Sequence, residues 1–340
     1  MLETLKSLCA LSGASGSEDE VREYILSRVE RHADDVATDV MGNVIVFKKG
    51  AKTPVKKVVL CSHIDEVGVI ITGITDEGFL RFAMIGQVDA RVIFGKTVVI
   101  GKNHVLGVTG SKATHLVKSK ERDKVQDADD LYIDIGAKSR EEAEKLVSVG
   151  DTGVSDNEAR EFGDGYVRAK AIDDRVGCAV LLELIGSDLP IDCTFAFTAQ
   201  EEVGMRGAYT ASFREAPDIA MIIEGTAAAD LPSVPEYKKV CRVGGGPVIP
   251  FMDKGTIYNV ELREMLASLA ESNGLKWQTK NVVAGATDSA AFQRSRAGVQ
   301  TVGIAAPIRN LHSPSCVGKV SDMEAVLKLA RLFLAEIGSM

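Results

Sequence analysis

Short apolar runs alternate with longer amphipathic segments along most of the 340-residue chain. Runs with the length of buried strands occupy residues 44–47, 58–61, 193–199, 219–224 and 299–305. Apolar residues at helical spacing predict helices over residues 174–185, 257–273 and 323–337. Strands that alternate with helices favour an α/β fold, with a mixed, mostly parallel sheet flanked by helices.

The pattern changes between about Gly68 and Asp164. Short strands separated by Gly, Asp and Asn turns are predicted at residues 69–72, 80–83, 96–100 and 105–108. This rhythm is typical of a small all-β barrel or sandwich, and the charged stretch 118–130 is predicted as a solvated loop. We therefore expect a catalytic α/β domain formed by residues 1–67 and 163–340, interrupted by a β-rich domain over residues 68–162.

Composition and charge exclude several classes of protein. The chain is 45% hydrophobic and 26% charged, an ordinary globular balance. A formal net charge of −8 offers no basic surface for nucleic acid. No apolar run approaches the ~18 residues of a membrane span. The six cysteines are scattered singly without a Cys-x-x-Cys pair, which predicts reduced thiols, a cytoplasmic location and no cysteine-based zinc site.

The most informative segment is the pair Glu201-Glu202. It follows the apolar run 193–199, which is broken only by Thr194 and Thr198, and it precedes Gly204 and Gly207. Burying one unpaired carboxylate costs several kcal/mol, and two adjacent like charges cost more. A cation is therefore expected to face the pair, although an exposed acidic turn is the simpler structural reading of any Glu-Glu.

Five possible metal ligands follow or precede predicted strand ends, where sites form in open α/β sheets. They are His63, Asp173, Glu202, Glu224 and His312. Two imidazoles and three carboxylates suit Zn²⁺, Co²⁺ or Mn²⁺. If one carboxylate bridges, the set serves two divalent ions per subunit.

Neighbouring residues have expected supporting roles. Asp65 lies two residues after His63 on an extended segment, so it can orient the imidazole or reinforce its basicity. Asp174 is predicted to cap a helix, whereas Asp173 precedes that helix and is freer to bridge two ions. Arg175 is expected to pair with a nearby carboxylate.

The chemistry of the acidic pair divides into two roles. One glutamate ligates metal, and the other takes a proton from water and delivers it to a leaving amine. A second segment, 285–290, either places Thr287 and Asp288 near the substrate or caps the helix that runs through Phe292.

These motifs, in this order, resemble metallopeptidase family forty-two, the co-catalytic aminopeptidases that assemble as tetrahedral complexes, also named glutamyl or deblocking aminopeptidases. The matching stretches are 63–68, 170–175, 200–204, 224–226, 253–256, 286–288 and 312–314. The resemblance implies metal-dependent removal of N-terminal residues from short peptides. It also implies a homo-oligomer, with dimers assembling into a dodecamer through the inserted domain.

The same resemblance assigns residue roles. Asp173 becomes the bridging ligand, Glu201 the general base and Asp65 the supporter of His63. His63 and Glu224 are assigned to different ions, as are His312 and Glu202. The chain departs from the family pattern at Glu224, where many relatives have Asp, and at Ser315-Cys316, which replaces an acidic residue that often follows the His-Ser-Pro.

Two other functions are compatible with some of these residues. An older family label, cellulase M, suggests a metal-independent glycoside hydrolase with two carboxylates flanking a sugar. An inactive assembly protein would use the metal structurally. Activity that survives chelation favours the first, and tight assembly without hydrolysis favours the second.

Overall fold

The structure is a computed structural model of the chain and describes residues 1–113, 115 and 127–340. Its helices are α1 Leu2–Ala10, α2 Asp19–Val29, α3 Ala90–Ile93, α4 Arg140–Ala143, α5 Ile172–Ile185, α6 Arg206–Glu215, α7 Val260–Ser272, α8 Ser289–Gln293 and α9 Val320–Ser339. Of the predicted charged loop, residues 118–126 lie outside the described residues. Residues Ala128–Asp130 form a 3₁₀ turn.

The strands belong to a main sheet, a barrel and a small third sheet. They are β1 Asp35–Thr38, β2 Val44–Lys48, β3 Val58–His63, β4 Gly68–Ile74, β5 Leu80–Ile85, β6 Thr97–Ile100, β7 Val105–Ser111, β8 Leu131–Asp134, β9 Thr152–Ser155, β10 Arg160–Phe162, β11 Tyr166–Ala169, β12 Cys193–Thr198, β13 Ile219–Ala227, β14 Gln300–Ile308 and β15 Cys316–Lys319.

The main sheet is mixed and mostly parallel, as predicted. Its strand order is β1-β2-β12-β3-β13-β14. The neighbours β12, β3, β13 and β14 run parallel, and β1 and β2 pair antiparallel at one edge. All six residues of β3 and of β12 are buried, which explains their nearly continuous apolar sequence.

The two faces of the sheet pack against different helices. Phe195 and Phe197 of β12 join the larger core, which also contains residues of α1, α2, α5 and α9. Ala196, between them, faces a smaller cluster with Ala208 of α6 and Phe292 of α8. Large side chains such as Phe195 fill the face of the sheet that packs against α1, α2, α5 and α9. On the other face, small side chains such as Ala196 let α6 and α8 approach the sheet. The carboxyl ends of β3, β12 and β13 therefore reach the same edge between two packed layers.

The inserted strands form a closed six-stranded barrel in the order β4-β5-β8-β7-β6-β9. Its interior is filled by alternating apolar side chains, among them Ile71, Leu80, Phe82, Ile100 and Ile133. Closure leaves no free sheet edge and gives the insertion its own core. The all-β barrel predicted from the short strands is thus present.

The third sheet bears on where the insertion ends. β10 and β11 form an antiparallel hairpin, and β11 also pairs with β15 next to α9. The division expected between residues 162 and 163 runs through this hairpin. We propose instead a domain boundary between β9 and β10, because it keeps the paired strands β10, β11 and β15 in the same domain.

Two element ends differ from the prediction. Helix α7 begins at Val260 rather than at residue 257, because the Asn259 side chain caps it by accepting the N–H of Leu262 at 2.9 Å. Strand β13 continues past Glu224 to Ala227, so Glu224 lies within the strand. Among the described helices, none combines the length and apolar character needed to cross a membrane.

Candidate metal centre

All five predicted ligands and Glu201 line one cavity of about 270 Å³ at the carboxyl edge of the main sheet. His63 ends β3 and stands opposite Thr198 at the end of β12, so the loop with Glu201 and Glu202 begins beside it. The remaining ligands come from the start of α5, from β13 and from the loop after β14: Asp173, Glu224 and His312.

Asp173 occupies the middle of the cluster. Its Oδ1 lies 3.6 Å from His63 Nε2, and its Oδ2 lies 3.7 Å from His312 Nε2. Ligand atoms of His63, Asp173 and Glu202 all lie within 4.8 Å of one another. A single carboxylate whose two oxygens face different imidazoles has the arrangement of a bridging ligand.

The contact between His312 and Glu202 bears on which ion each residue would hold. His312 Nε2 is 3.2 Å from Glu202 Oε1, a separation typical of two ligands on one ion. This contact favours one shared ion for the two residues, whereas the expectation assigned them to different ions, because loop 309–315 brings His312 against Glu202.

Asp173 and Asp174 precede the regular turns of α5. Their backbone angles are non-helical, and the peptide bond between them is cis. Asp174 Oδ1 accepts the N–H of Gly177 at 3.0 Å, which is the hydrogen bond of a helix N-cap, and Asp174 also accepts the Ser62 hydroxyl. The predicted capping role of Asp174 is confirmed, and Asp173 projects into the cavity.

Asp65 connects His63 to the acidic pair. His63 Nδ1 lies 3.1 Å from the backbone carbonyl of Asp65 and 3.5 Å from its Oδ1. The Asp65 carboxylate also accepts the Glu201 N–H at 2.9 Å, the Glu202 N–H at 3.1 Å and the Ser15 hydroxyl at 2.6 Å. Asp65 therefore holds the loop of the acidic pair as well as the imidazole.

The charged side chains in the cavity shift one another's pKa values. Burial raises the pKa of Glu201 well above its usual value; nearby His63 lowers it, whereas Asp288 and Glu202 raise it further. Burial also raises the pKa of Glu224, and the Glu201 charge adds to that effect. Such carboxylates are poorly accommodated unless a cation balances them.

The imidazoles show the complementary effect. Burial lowers the pKa of His312, but its contacts with Asp173 and Glu202 outweigh burial and raise it to about 10. The pKa of His63 is likewise raised, because Asp173 and Asp65 outweigh the effect of burial. A divalent cation would replace the protons of these imidazoles.

Glu224 provides an independent test of whether a cation fits. Its side chain is buried, and across the described residues its Oε1 has no hydrogen-bond partner. A buried, orphaned carboxylate oxygen beside two imidazoles and two further carboxylates matches the donor set of Zn²⁺, Co²⁺ or Mn²⁺. The residues present therefore fit a divalent metal.

His312 depends on contacts outside the main sheet. Its backbone has φ of +56°, and its Nδ1 lies 3.0 Å from the carbonyl of Gln87 in the loop between β5 and α3. If Nδ1–H donates to that carbonyl, Nε2 is left to face Asp173 and Glu202. Asn157 Nδ2 donates to the carbonyl of Pro314 and to Ser315, so an amide supports the loop in which the usual acidic residue is replaced.

Two further groups near the site combine confirmed expectations with contacts that sequence reasoning missed. Asp288 stands at the N-cap of α8, but its carboxylate accepts the Thr198 hydroxyl instead of capping, and burial raises its pKa to about 6. Thr287 lines the cavity.

Arg175 pairs with Glu66 at 3.3 Å, as expected of a carboxylate partner, and Lys170 joins the same carboxylate. No sequence signal marked Glu66 or Gln87, because their contacts cross between distant segments.

Comparison with known proteins agrees with this geometry. Residues 42–329 match the family described as M42 glutamyl aminopeptidase. A putative aminopeptidase of Acetivibrio thermocellus is 37% identical over 331 residues, covering 97% of each chain. The TET aminopeptidase of Thaumarchaeota archaeon SCGC AB-539-E09 has a TM-score of 0.94 at 33% identity, covering 99% of this chain and 98% of that one.

The TET1 peptidase of Pyrococcus horikoshii, which can assemble into a tetrahedron or a large octahedral shell, has a TM-score of 0.87 at 36% identity, covering 98% of this chain and 99% of that one. The family match covers most of the chain, and the relatives align over nearly their whole length. The resemblance noted in the sequence is confirmed: the chain belongs to the M42 glutamyl aminopeptidase family.

Proposed function

We propose that this peptidase removes residues one at a time from the free N-termini of short peptides, using two divalent metal ions and Glu201 as the general base. The observation that carries the proposal is Asp173, whose two carboxylate oxygens face His63 and His312 separately in a cavity that also contains Glu201.

The ligands divide between the two sides of Asp173. His312 and Glu202, 3.2 Å apart, would hold one ion, and His63 with the orphaned Glu224 carboxylate would hold the other. This division replaces the one expected from the sequence, in which each of these pairs was split between the two ions. Zn²⁺, Co²⁺ and Mn²⁺ all suit these nitrogen and oxygen donors. Bound there, such ions would polarise the scissile carbonyl and make water more acidic.

Glu201 is suited to move protons beside these ligands. Asp65 fixes its backbone N–H, and its side chain lines the cavity. Burial raises its pKa, which brings a carboxyl group toward the range in which it accepts a proton and releases it again. In this mechanism the Glu201 carboxylate takes a proton from the attacking water and delivers it to the leaving amide nitrogen.

Carboxylates that are not fully used in holding metal would also help to bind the substrate. An N-terminal ammonium group entering this acidic cavity would be attracted to the carboxylates that line it. That attraction places the first peptide bond, rather than an internal one, beside Glu201. The preference for free N-termini follows from this placement.

The assembly proposal depends on the relatives. We propose that the chain forms homo-oligomers, with dimers assembling into a dodecamer through the inserted barrel, because the similar Pyrococcus horikoshii protein is described as assembling into a tetrahedron. A cytoplasmic location fits the six free, buried cysteines. Light scattering of the purified protein tests the oligomeric state.

Replacing Glu201 by Gln tests the mechanism. The variant is expected to keep its bound metal and to lose about 10²- to 10⁴-fold in kcat on aminoacyl arylamides, because the amide cannot accept the proton. Metal content by elemental analysis and turnover by absorbance are the two measurements. Near-normal turnover in the variant would refute Glu201 as the base.

Chelation followed by refilling with single metals tests the rest of the proposal. Activity is expected to disappear with the metal and to return with Zn²⁺, Co²⁺ or Mn²⁺. Hydrolysis of cellulose oligomers that survives chelation would instead support the glycosidase reading. Intact assembly with no hydrolysis in any metal-loaded sample would support a purely structural role.

A further inference from the structure

The carboxylate of Glu66 contacts two cations that flank Asp173 along the chain. Lys170 Nζ and Arg175 Nη2 both donate to Glu66 Oε1, the latter at 3.3 Å. Lys170 lies three residues before Asp173, and Arg175 lies two residues after it. Glu66 itself lies three residues after His63, the imidazole that Asp173 Oδ1 faces. One carboxylate therefore ties the chain on both sides of Asp173 to the chain that leaves β3.

The cluster is enclosed and is held by the main chain as well. The side chains of Glu66, Lys170 and Arg175 are no more than 5% exposed. Lys170 Nζ also donates to the carbonyl of Leu11 at 2.6 Å, and the Glu66 N–H donates to the carbonyl of Gly13 at 2.9 Å. Ion pairs that solvent does not screen keep their partners, because water cannot replace them without exposing a buried charge. Glu66 is thus a fixed point beside the end of β3.

The segment that carries Asp173 needs such a fixed point because its backbone is irregular. Ala171 has φ of +51°, and the backbone angles of Asp173 and Asp174 are non-helical. A residue other than glycine persists at positive φ only where the surrounding contacts hold it there. Regular helical hydrogen bonds do not fix this stretch, so its two flanking cations and their shared carboxylate supply the missing constraint.

Stability alone does not account for the cluster. Two cations share one carboxylate, so the charges do not balance. Within the part of the chain that the structure describes, Nε and Nη1 of Arg175 are buried without a hydrogen-bond partner. Burying unsatisfied donors is costly, and apolar side chains of similar volume are often at least as stabilising as a buried ion pair. Such a departure from good packing is typical of positions that serve function.

We propose that Glu66 is a positioning residue that holds the Asp173 carboxylate opposite His63 through Lys170 and Arg175. The inference rests on the proposed dinuclear site, in which Asp173 bridges the two ions. Glu66 is not among the residues that line the substrate cavity, so it acts through the backbone around Asp173. His63 Nε2 and Asp173 Oδ1 are 3.6 Å apart, and displacing one of two such groups by about 1 Å can cost about 10²-fold in rate.

Two substitutions separate the charge of Glu66 from its reach. Glu66→Gln keeps the length of the side chain and removes the charge that holds Lys170 and Arg175 together. Glu66→Asp keeps the charge but is one methylene shorter, so it cannot contact both cations in their present positions. Both variants are expected to bind Mn²⁺ about 10–100-fold more weakly and to lose about 10²-fold in kcat on arylamides. A cluster that only neutralised charge would leave Glu66→Asp like the wild type.

Electron paramagnetic resonance gives a readout that requires no turnover. Two Mn²⁺ ions that share a carboxylate are magnetically coupled, and their spectrum differs from that of isolated ions. The Mn²⁺-loaded wild-type protein is expected to show the coupled spectrum, and both Glu66 variants are expected to lose it. Thermal unfolding is measured on the same samples, and Glu66→Asp is expected to unfold closer to the wild type than Glu66→Gln does, because its charge is retained.

Glu215 provides a matched control at the opposite end of β3. Its carboxylate lies 3.1 Å from Lys57 Nζ, one residue before β3 begins, and its side chain is 13% exposed. Glu215→Gln and Glu215→Asp make the same two changes to an ion pair that is remote from the ligands. They are expected to leave Mn²⁺ affinity and the coupled spectrum unchanged.

The outcomes separate this inference from the proposed function. A wild-type protein with neither a coupled Mn²⁺ spectrum nor hydrolysis would overturn the proposed dinuclear function. Coupling and hydrolysis that are present in the wild type and unchanged in Glu66→Asp would overturn the role of Glu66 alone, even if Glu66→Gln fails to fold. An equal loss of Mn²⁺ affinity in the Glu215 variants would also overturn it, since general destabilisation would then explain the result.

Discussion

The two imidazoles of the candidate metal centre are supported in different ways. His63 ends a buried strand, has a side chain only 2% exposed and is oriented by Asp65, two residues away. His312 lies on a loop, has a side chain 23% exposed and is oriented by the carbonyl of Gln87, which is 225 residues away and belongs to the inserted barrel segment. We call these the strand side and the loop side of the site.

The difference shows what the insertion contributes. The strand side is built within the α/β part, from a strand and the loop beside it. The loop side is completed by a barrel loop in which a Cβ added at Gly86 would meet Val67 and lie close to Glu202. The barrel therefore supports a ligand directly, in addition to its proposed part in assembly, and a distortion of the barrel should affect one side of the site first.

The largest expected effect comes from Asp173→Asn, which removes the group shared by both sides. The variant should lose bound metal on both sides and more than about 10³-fold in kcat/KM, exceeding the 10–100-fold typical of an outer partner. Metal per chain and arylamide hydrolysis measure this. Loss of only one ion would show that the sides do not share Asp173.

Asp65→Asn should damage the strand side. Glu201 and Glu202 donate to different oxygens of Asp65, so the NH2 group of an amide would face one of these N–H groups and leave it unsatisfied at a cost of about 1–3 kcal/mol. Metal affinity should fall by about 10–100-fold. Denaturant unfolding and metal titration measure both effects, with Asp76→Asn on the exposed barrel surface as the control. Unchanged metal affinity would contradict the assignment.

Gly86→Ala should affect the loop side with a smaller loss. Gly86 has φ of +76°, and an added Cβ would lie 2.8 Å from Val67 Cγ1 and 3.4 Å from Glu202 Cβ, so either the Val67 side chain or the loop carrying Gln87 must shift. We expect a loss of metal affinity of several-fold, together with about 1 kcal/mol of strain. Metal titration measures whether the affinity falls on the loop side of the metal centre more than on the strand side.

Gly95→Ala is the matched control for that substitution. Gly95 also has positive φ, at +69°, but an added Cβ would meet nothing within 4 Å. Gly95→Ala should therefore introduce the same backbone strain as Gly86→Ala without lowering metal affinity. Equal effects of the two substitutions would mean that strain alone, and not the contact with the metal site, explains Gly86→Ala.

The smallest expected effect is that of Glu20→Gln. Glu20 Oε1 on α2 lies 2.8 Å from His104 Nε2 beyond β6, another link between the α/β part and the barrel segment. Both side chains are substantially exposed, so the pair should stabilise the protein by less than about 1 kcal/mol. Thermal unfolding and arylamide hydrolysis should be nearly unchanged. A marked loss of activity would show that the two parts are coupled here as well.

Much of the fold was predictable from local pattern. The buried runs at 193–199 and 299–305 became β12 and β14, and the short strands after Gly68 became a barrel. The errors were local as well. A side-chain cap moved the start of α7 to Val260, and the pairing of β13 with β14 carried that strand beyond Glu224.

The candidate site was predictable in its members but not in its pairings. Ligands at strand ends converge because parallel strands end at one edge, so five positions were found without contacts. The sequence assigned His312 and Glu202 to different ions, whereas their contact favours one ion, and the contact of Gln87 with His312 was not anticipated. Each of these contacts depends on the conformation of a loop, which neither the hydrophobic period nor the residue types of the sequence predict.

By itself, the sequence determined the order of strands and helices, the β-rich character of the insertion and the residue types gathered at the site. These follow from burial period and from the cost of burying unpaired carboxylates. Only the tertiary structure decided that the insertion closes into a barrel, that Asp173 faces both imidazoles and that Asp65 holds the acidic pair. Those relations join segments far apart in the chain, and packing alone sets the distances between them.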